Sequence, residues 1–361
     1  MKIMIVIGTR PEIVKMAPII DYVEKIGIDF VVIHSGQHYS NFMSDAFISD
    51  LELPPPDENL GIGSGTQAEQ TAKGLVEFEK SIFRNMPDVV LVQGDTNSAF
   101  AAGLAGAKIH DVKVGHVEAG LRSYDLRMPE EYNRRLLDHL SDFLFAPTQM
   151  NYEILMRENV FGKVYVTGNT VIDACIRHLP IAEKKSDILS KLNISDYVLL
   201  TLHRAENVDD PKTLKSILDA LFELDEQILF PAHPRTVNRF YEFNFMERIK
   251  KSNIRLIQPV SYLDFLVLMK NSKYIITDSG GIQEEATAPN IRKRVFVVRD
   301  STERQEAAEA GFAVVVGTQK DKILEEIRTT LENQPPLPSK SPFGDGRSAE
   351  RIIEFLLKHY D

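Results

Sequence analysis

Three acidic residues in the first half of the chain stand where an apolar run stops and a helix begins. Asp95 lies in Val92-Gln93-Gly94-Asp95-Thr96-Asn97, Glu118 in His116-Val117-Glu118-Ala119-Gly120-Leu121-Arg122, and Glu131 in Met128-Pro129-Glu130-Glu131-Tyr132-Asn133-Arg134-Arg135. Carboxylates that share a cleft repel one another, and repulsion with burial lifts a pKa into the range useful for proton transfer. Each residue also has a plainer reading. Asp, Thr and Asn are good helix N-caps, which by itself accounts for the Asp95 cluster. First-turn glutamates favour the helix dipole, the preferred reading for Glu130, whereas Glu131 fits either role. A Glu directly after an apolar strand, as at Glu118, is harder to explain by propensity.

Cations and glycines occupy other corners. Gly8-Thr9-Arg10-Pro11-Glu12 closes the first apolar run, Pro11 suits the first position of a helix, and Lys15 lies one turn inside it. Helix-start amides with Arg10 and Lys15 suit a diphosphate, or simply a polar surface corner. The spaced glycines of a dinucleotide site are missing there, so NAD is not expected. The most informative corner is Ile276-Thr277-Asp278-Ser279-Gly280-Gly281-Ile282-Gln283-Glu284-Glu285. Ser279, Gly280 and Gly281 let the backbone approach a diphosphate closely, and Glu285 is placed to accept hydrogen bonds from ribose hydroxyls. His203, in Thr201-Leu202-His203-Arg204-Ala205-Glu206-Asn207, is a candidate acid, base or phosphate contact, and Arg304 adds a cation after a further strand. None of the 9 histidines has a metal-ligand spacing, so no metal is expected.

The elements that must hold these corners are buried strands alternating with amphipathic helices. Apolar runs at Ile3–Ile7, Phe30–His34, Val89–Val92, Lys113–His116, Phe143–Ala146 and Val164–Thr167 predict one series of strands. Val198–Thr201, Ile228–Pro231, Ile254–Ile257, Tyr274–Thr277, Val295–Val298 and Ala313–Val316 predict a second, after a polar stretch from Ala182 to Asp196. The pattern is α/β: two Rossmann-like, doubly wound domains over residues 1–170 and 171–345, facing each other across a cleft. Residues 346–361 hold a last amphipathic helix, Ala349–His359, beyond the break at Pro335-Pro336-Leu337-Pro338. In such sheets ligands sit beyond the carboxyl ends of the strands, where every cluster above falls.

Composition narrows the partners. The 361 residues suit about two domains, and 42 basic against 52 acidic residues leave a net charge of −10, which argues against nucleic-acid or anionic-membrane surfaces. The lone Cys175 forms no internal disulfide and no multi-thiolate metal site. The opening apolar run is too short for a signal segment, and no stretch reaches the ~20 residues that cross a bilayer, so a cytoplasmic location is expected.

Taken in order, these motifs resemble the non-hydrolysing UDP-N-acetylglucosamine 2-epimerases, whose two domains have the GT-B fold. The resemblance rests on Gly8-Thr9-Arg10-Pro11-Glu12, Gly94-Asp95-Thr96, His116–Arg122, Pro129-Glu130-Glu131, His203-Arg204 and Thr277–Glu285, and runs from residue 1 to at least Gly317. It implies that Asp95, Glu118, Glu131 and His203 are the catalytic group. It further implies UDP contacts from Arg10, Lys15, Ser279, Gly280, Gly281, Glu285 and Arg304, with Phe265 beside the uracil. A cytoplasmic homodimer needing neither metal nor NAD is implied as well, with the last helix crossing back onto the first domain. The expected partners are UDP-N-acetylglucosamine and UDP-N-acetylmannosamine, interconverted by elimination of UDP to 2-acetamidoglucal and re-addition. Gln37-His38-Tyr39 stands where bacterial members often read Gln-His-Arg, in a region tied to a regulatory sugar nucleotide. A glycosyltransferase, a hydrolysing epimerase and a catalytically silent sugar-nucleotide sensor are the rival readings.

Overall fold

The computed structural model describes residues 1–36, 47–333 and 335–360, which leaves Gln37-His38-Tyr39 outside the described residues. The chain divides into two compact units, Met1–Ala174 with Phe343–Asp361, and Cys175–Pro342.

In unit 1 the strands β1 (Lys2–Ile7), β2 (Asp29–His34), β3 (Glu58–Asn59), β4 (Val89–Gln93), β5 (Lys113–Val117), β6 (Phe143–Ala146) and β7 (Lys163–Val166) form one parallel sheet. Its order is β3-β2-β1-β4-β5-β6-β7. Ile3 to Ile7 are buried without interruption, because helices cover both faces of the sheet. The short edge strand β3 was not expected: Glu58 and Asn59 carry no apolar run that could announce it. Chain direction across the sheet reverses between β1 and β4, which opens a crevice at their carboxyl ends.

Small residues set the approach of the helix that carries Glu131. In the helix Asn97–Ala107, a Cβ on Gly103 would lie 2.4 Å from Leu137 Cδ1, so this alanine- and glycine-rich segment lets the helix Pro129–Leu140 pack close. Ala99, Ala101, Ala102 and Ala105 bury their methyls with Met4, Val6, Val90 and Val92 in the same core. The last helix, Ser348–His359, belongs to unit 1. Its Phe355 stacks on Tyr165 with ring centroids 4.7 Å apart and meets Phe143 and Phe145 edge-on. Asp173, on the helix Thr170–Lys185, accepts a hydrogen bond from Ala349 N at 2.9 Å and so ties the start of that last helix.

Unit 2 repeats the plan. Strands β8 (Val198–Thr201), β9 (Ile228–Pro231), β10 (Ile254–Ile257), β11 (Ile275–Thr277), β12 (Val295–Val297) and β13 (Ala313–Val315) form a parallel sheet in the order β10-β9-β8-β11-β12-β13. Tyr274, Val298 and Val316 are buried but stand just outside the ladders, since apolar character reports burial and not pairing. The crevice of this sheet lies between β8 and β11. The stretch from Ala182 to Asp196 contains the end of one helix and the short helix Ile188–Leu192. Among the described residues no helix is long and apolar enough to cross a membrane.

Burial pushes the Asp173 carboxyl up from 3.8 to about 6, against the partly compensating Ala349 N–H. The folded state therefore holds this proton more tightly than the unfolded chain, and stability falls as pH rises through that window. We expect Asp173→Asn to remove this component, so that unfolding free energies of variant and native protein diverge in the variant's favour by roughly 2–3 kcal/mol between pH 4 and 7. Denaturant titrations at the two pH values check this, and parallel curves would count against it.

Candidate active site

At the carboxyl end of β1 the chain enters the helix Arg10–Ile26, so Pro11 takes the second helical position, not the first. Glu12 is buried and joins two strand ends. Its Oε2 accepts from Thr9 N and its Oε1 from Thr96 Oγ1, both at 2.6 Å. Burial pushes its carboxyl up, with the charge of Asp95 adding to the push and the Thr96 and Thr9 bonds opposing it. Thr96 also caps the helix Asn97–Ala107 by accepting from Ala99 N at 3.0 Å. The capping role thus belongs to Thr96, and the Asp95 carboxylate serves elsewhere.

It serves opposite a guanidinium. Asp95 Oδ2 lies 2.5 Å from Arg134 Nη2, and the other terminal nitrogen of Arg134 lies 3.0 Å from Glu131 Oε2. Glu131 is fully buried and heavily bonded: Ser123 N and Oγ at 2.9 Å, Tyr124 N at 3.3 Å and Arg135 Nε at 3.2 Å also reach it. Burial raises its carboxyl, but the Ser123 bonds and Arg134 outweigh this and hold it below the ordinary range. Three carboxylates sharing a cleft were expected to repel one another; here Arg134 stands between Asp95 and Glu131, and the Glu131 carboxyl is held below its ordinary range.

Glu118 forms a second group. It follows β5 with φ of 72°, a left-handed conformation that non-glycine residues adopt at a cost. Its Oε2 is ion-paired with Lys15 Nζ and accepts from Gln93 Nε2 at 2.6 Å. Lys15, read from sequence as a diphosphate contact, is engaged with a carboxylate in this structure. Arg10 is exposed, its guanidinium 5.5 Å from the centre of the Phe47 ring.

In unit 2 the bridging carboxylate is Asp278, fully buried at the end of β11. Its Oδ2 accepts from His203 N at 3.0 Å, Arg204 N at 2.9 Å and Asn207 Nδ2 at 3.2 Å, which joins the ends of β8 and β11. Its Oδ1 lies 3.2 Å from His203 Nδ1 and orients the half-exposed ring. Burial raises this carboxyl, but His203 and the backbone N–H groups bring it below its ordinary value.

The short helix Gly280–Glu285 starts at Ser279, whose side chain makes no capping bond. Gly280 lies in close approach to charged side chains: a Cβ there would lie 2.9 Å from Glu303 Oε1 and 3.7 Å from Arg304 Cζ, whereas one on Gly281 would meet nothing nearer than Ser279 Oγ at 4.0 Å. Glu303 pairs with Arg204 at 2.8 Å and with Arg299; burial raises its carboxyl, yet Arg304, Arg204 and Arg299 pull it down to about 2. Arg304 is buried and its Nε lies 2.6 Å from Glu284 Oε1. His203, Ser279, Gly280, Gly281 and Arg304 therefore occupy neighbouring corners. Glu285 ends its helix, and Phe265 lies in the first turn of the helix Tyr262–Asn271, which follows β10; both are half-buried.

Gln93, Arg134, Glu12 and Asp278 were not singled out from sequence as functional. The available signal was placement alone, polar residues inside or directly after a buried strand, or repeated on one helix face as at Glu131, Arg134 and Asp138.

A sequence profile of UDP-N-acetylglucosamine 2-epimerases matches residues 22–357. The chain belongs to the UDP-N-acetylglucosamine 2-epimerase family. It is 47% identical over 366 residues to the UDP-N-acetylglucosamine 2-epimerase of Methanocaldococcus jannaschii, covering 99% of each chain. The crystal structure of that organism's enzyme in complex with UDP-GlcNAc and UDP superimposes with a TM-score of 0.87, over 99% of this chain and 100% of that one. The Pseudomonas aeruginosa UDP-2,3-diacetamido-2,3-dideoxy-D-glucuronate 2-epimerase is 37% identical over 366 residues, or 99% of this chain and 100% of that one. The expected fold class, α/β with two doubly wound parallel sheets of the GT-B type, agrees with the family's solved structures.

Because Glu131 neutralises two arginines and accepts from the 123–124 backbone, its loss should be felt in stability. Its lowered carboxyl contributes stability that is present above the unfolded value near 4.5 and lost as pH falls through the folded one. We expect Glu131→Gln to lower the unfolding free energy by about 1–3 kcal/mol at pH 7, with the gap closing in acid. Urea unfolding at pH 7 and pH 4 measures both, and a gap independent of pH would contradict the assignment.

Proposed function

We propose that this protein catalyses the reversible epimerisation of UDP-N-acetylglucosamine at C2, by elimination of UDP and re-addition. The observation that carries the proposal is the pair of linked acidic groups in unit 1, Asp95–Arg134–Glu131 and Lys15–Glu118–Gln93, in a chain that matches the Methanocaldococcus jannaschii UDP-N-acetylglucosamine 2-epimerase over 99% of its length.

The C2 hydrogen has no adjacent carbonyl and is not acidic in the intact sugar. If the C1–O bond breaks first, UDP leaves with the bonding pair and C1 gains oxocarbenium character. A carboxylate then takes the C2 proton and the C1–C2 double bond of 2-acetamidoglucal forms. Re-addition of UDP at C1, with a proton delivered to the opposite face of C2, gives UDP-N-acetylmannosamine. The reaction moves a proton and a leaving group, not a hydride, and so requires no nicotinamide. Asp95, Glu118 and Glu131 are the proton-transfer groups, while His203 contacts phosphate or shuttles a proton. Arg10, Lys15, Ser279, Gly280, Gly281 and Arg304 hold the diphosphate, the electrostatic contribution that is usually largest in catalysis. Glu285 takes the ribose and Phe265 lies beside the uracil.

A cytoplasmic homodimer is part of the same reading. The lone Cys175 supports a reducing compartment. Self-association is supported by the exposed Val76, Tyr132 and Leu136, on two helices that flank an open hollow of about 430 Å³ lined by Ala68, Ala72, Leu75 and Pro129 together with the polar Gln67, Thr71, Asn97 and Asn133. Light scattering should give about twice the 40.8 kDa chain mass.

Incubation with UDP-N-acetylglucosamine in D₂O, followed by NMR, tests the chemistry. The expected result is deuterium at C2 with growth of UDP-N-acetylmannosamine, slowed roughly 10²- to 10⁴-fold by Asp95→Asn while UDP affinity holds within about threefold. A manno product retaining its C2 hydrogen, release of free N-acetylmannosamine, or a turnover unchanged by the substitution would overturn the proposal. Parallel incubation with the 2,3-diacetamido uronic acid nucleotide shows which sugar is preferred.

A further inference from the structure

Asp138 lies inside the helix Pro129–Leu140, entirely buried, and takes no part in the chemistry above. Its Oδ1 lies 2.7 Å from His116 Nδ1. Its Oδ2 accepts from Gly120 N at 3.1 Å and from Arg122 Nη2 at 2.7 Å. The second ring nitrogen of His116 lies 2.9 Å from the carbonyl oxygen of Gly94. Burial raises the Asp138 carboxyl, yet His116 and Arg122 bring it below its ordinary value. Both ring nitrogens of His116 thus lie against oxygen atoms, one of Asp138 and one of Gly94. Arg122 is also held by Glu158, which accepts from the same Nη2 at 2.6 Å and from Nε at 3.0 Å.

The positions of these anchors matter more than their number. Gly94 immediately precedes Asp95. His116 and Gly120 stand two residues before and two residues after Glu118, whose left-handed backbone must be held in place by its surroundings. One carboxylate, outside both corners, therefore reaches the backbone of each.

We propose that Asp138 is a positioning residue, which through His116, Gly120 and Arg122 holds the Asp95 and Glu118 corners in the geometry that proton transfer at C2 requires. The proposal rests on the reading of Asp95 and Glu118 as catalytic. It predicts a particular pattern of rescue. Alanine at 138 removes both arms. Asparagine can keep them, because its amide N–H can donate to His116 Nδ1, the ring then keeping its N–H toward Gly94, while the amide oxygen still accepts from Gly120 and Arg122.

The test measures C2 deuterium exchange and turnover of UDP-N-acetylglucosamine, with UDP affinity followed by calorimetry. Asp138→Ala should lose roughly 10²-fold in kcat, with KM and UDP affinity within about threefold, and Asp138→Asn should recover most of that loss. Should Asp138→Ala show no cooperative melt, His116→Asn decides. It keeps an N–H toward Asp138 but cannot reach Gly94, and at least a roughly tenfold loss in kcat with unchanged UDP affinity is expected. Native kcat in Asp138→Ala or His116→Asn, a folded Asp138→Asn no better than alanine, or an equal loss in UDP affinity each overturns the positioning role. Absence of C2 exchange in the native protein instead overturns the underlying reading of the reaction.

Discussion

In a parallel sheet whose strand order reverses, the two strands at the reversal send their chains to opposite faces, and no ladder hydrogen bond joins the loops that leave them. Something else must hold those loops at a fixed separation. In both units of this protein it is a buried carboxylate. Glu12 receives Thr9 N and Thr96 Oγ1 across the β1/β4 gap. Asp278 receives the backbone of His203 and Arg204 across the β8/β11 gap. A single acceptor with two oxygens can satisfy donors from two chain segments at once, which an apolar side chain cannot, and a buried carboxylate so loaded resists displacement because each bond lost leaves a desolvated group behind.

The charges around these bridges are arranged so that few buried carboxylates lack a cation. Arg134 lies between Asp95 and Glu131, and Lys15 lies against Glu118. Glu303 is shared by Arg204 and Arg299. Such pairs add little net stability, since desolvation offsets most of the attraction. What they supply is direction: each ion is fixed by several bonds, so the charges around these corners need little reorganisation.

The sheets were legible in sequence because strands buried on both faces must be continuously apolar, as Ile3–Ile7 and Val89–Val92 are. β3 was not, because a two-residue edge pairing at Glu58 and Asn59 needs only backbone groups. The corners themselves were visible, since Gly, Asp, Glu and His gather directly after the apolar runs. Their bonding was not. Thr96 and Asp95 are equally good caps by type, and only the path of the helix made Thr96 the cap and turned Asp95 toward Arg134. Likewise Glu131 was one of three carboxylates whose pKa a shared cleft could raise, and the Ser123 hydrogen bonds together with Arg134 lower it instead.

Residue order alone settled the α/β class, the alternation of elements and the strand ends at which polar groups gather, because hydrophobic periodicity and corner residues are local properties. Which of those polar groups meet was decided by tertiary packing. Gly103 lets the Pro129–Leu140 helix pack close to the helix Asn97–Ala107, and that helix brings Glu131, Arg134 and Asp138 to corners distant along the chain. Contacts such as His116 with Asp138, or Lys15 with Glu118, join residues whose separation in sequence carries no signal of their distance in space.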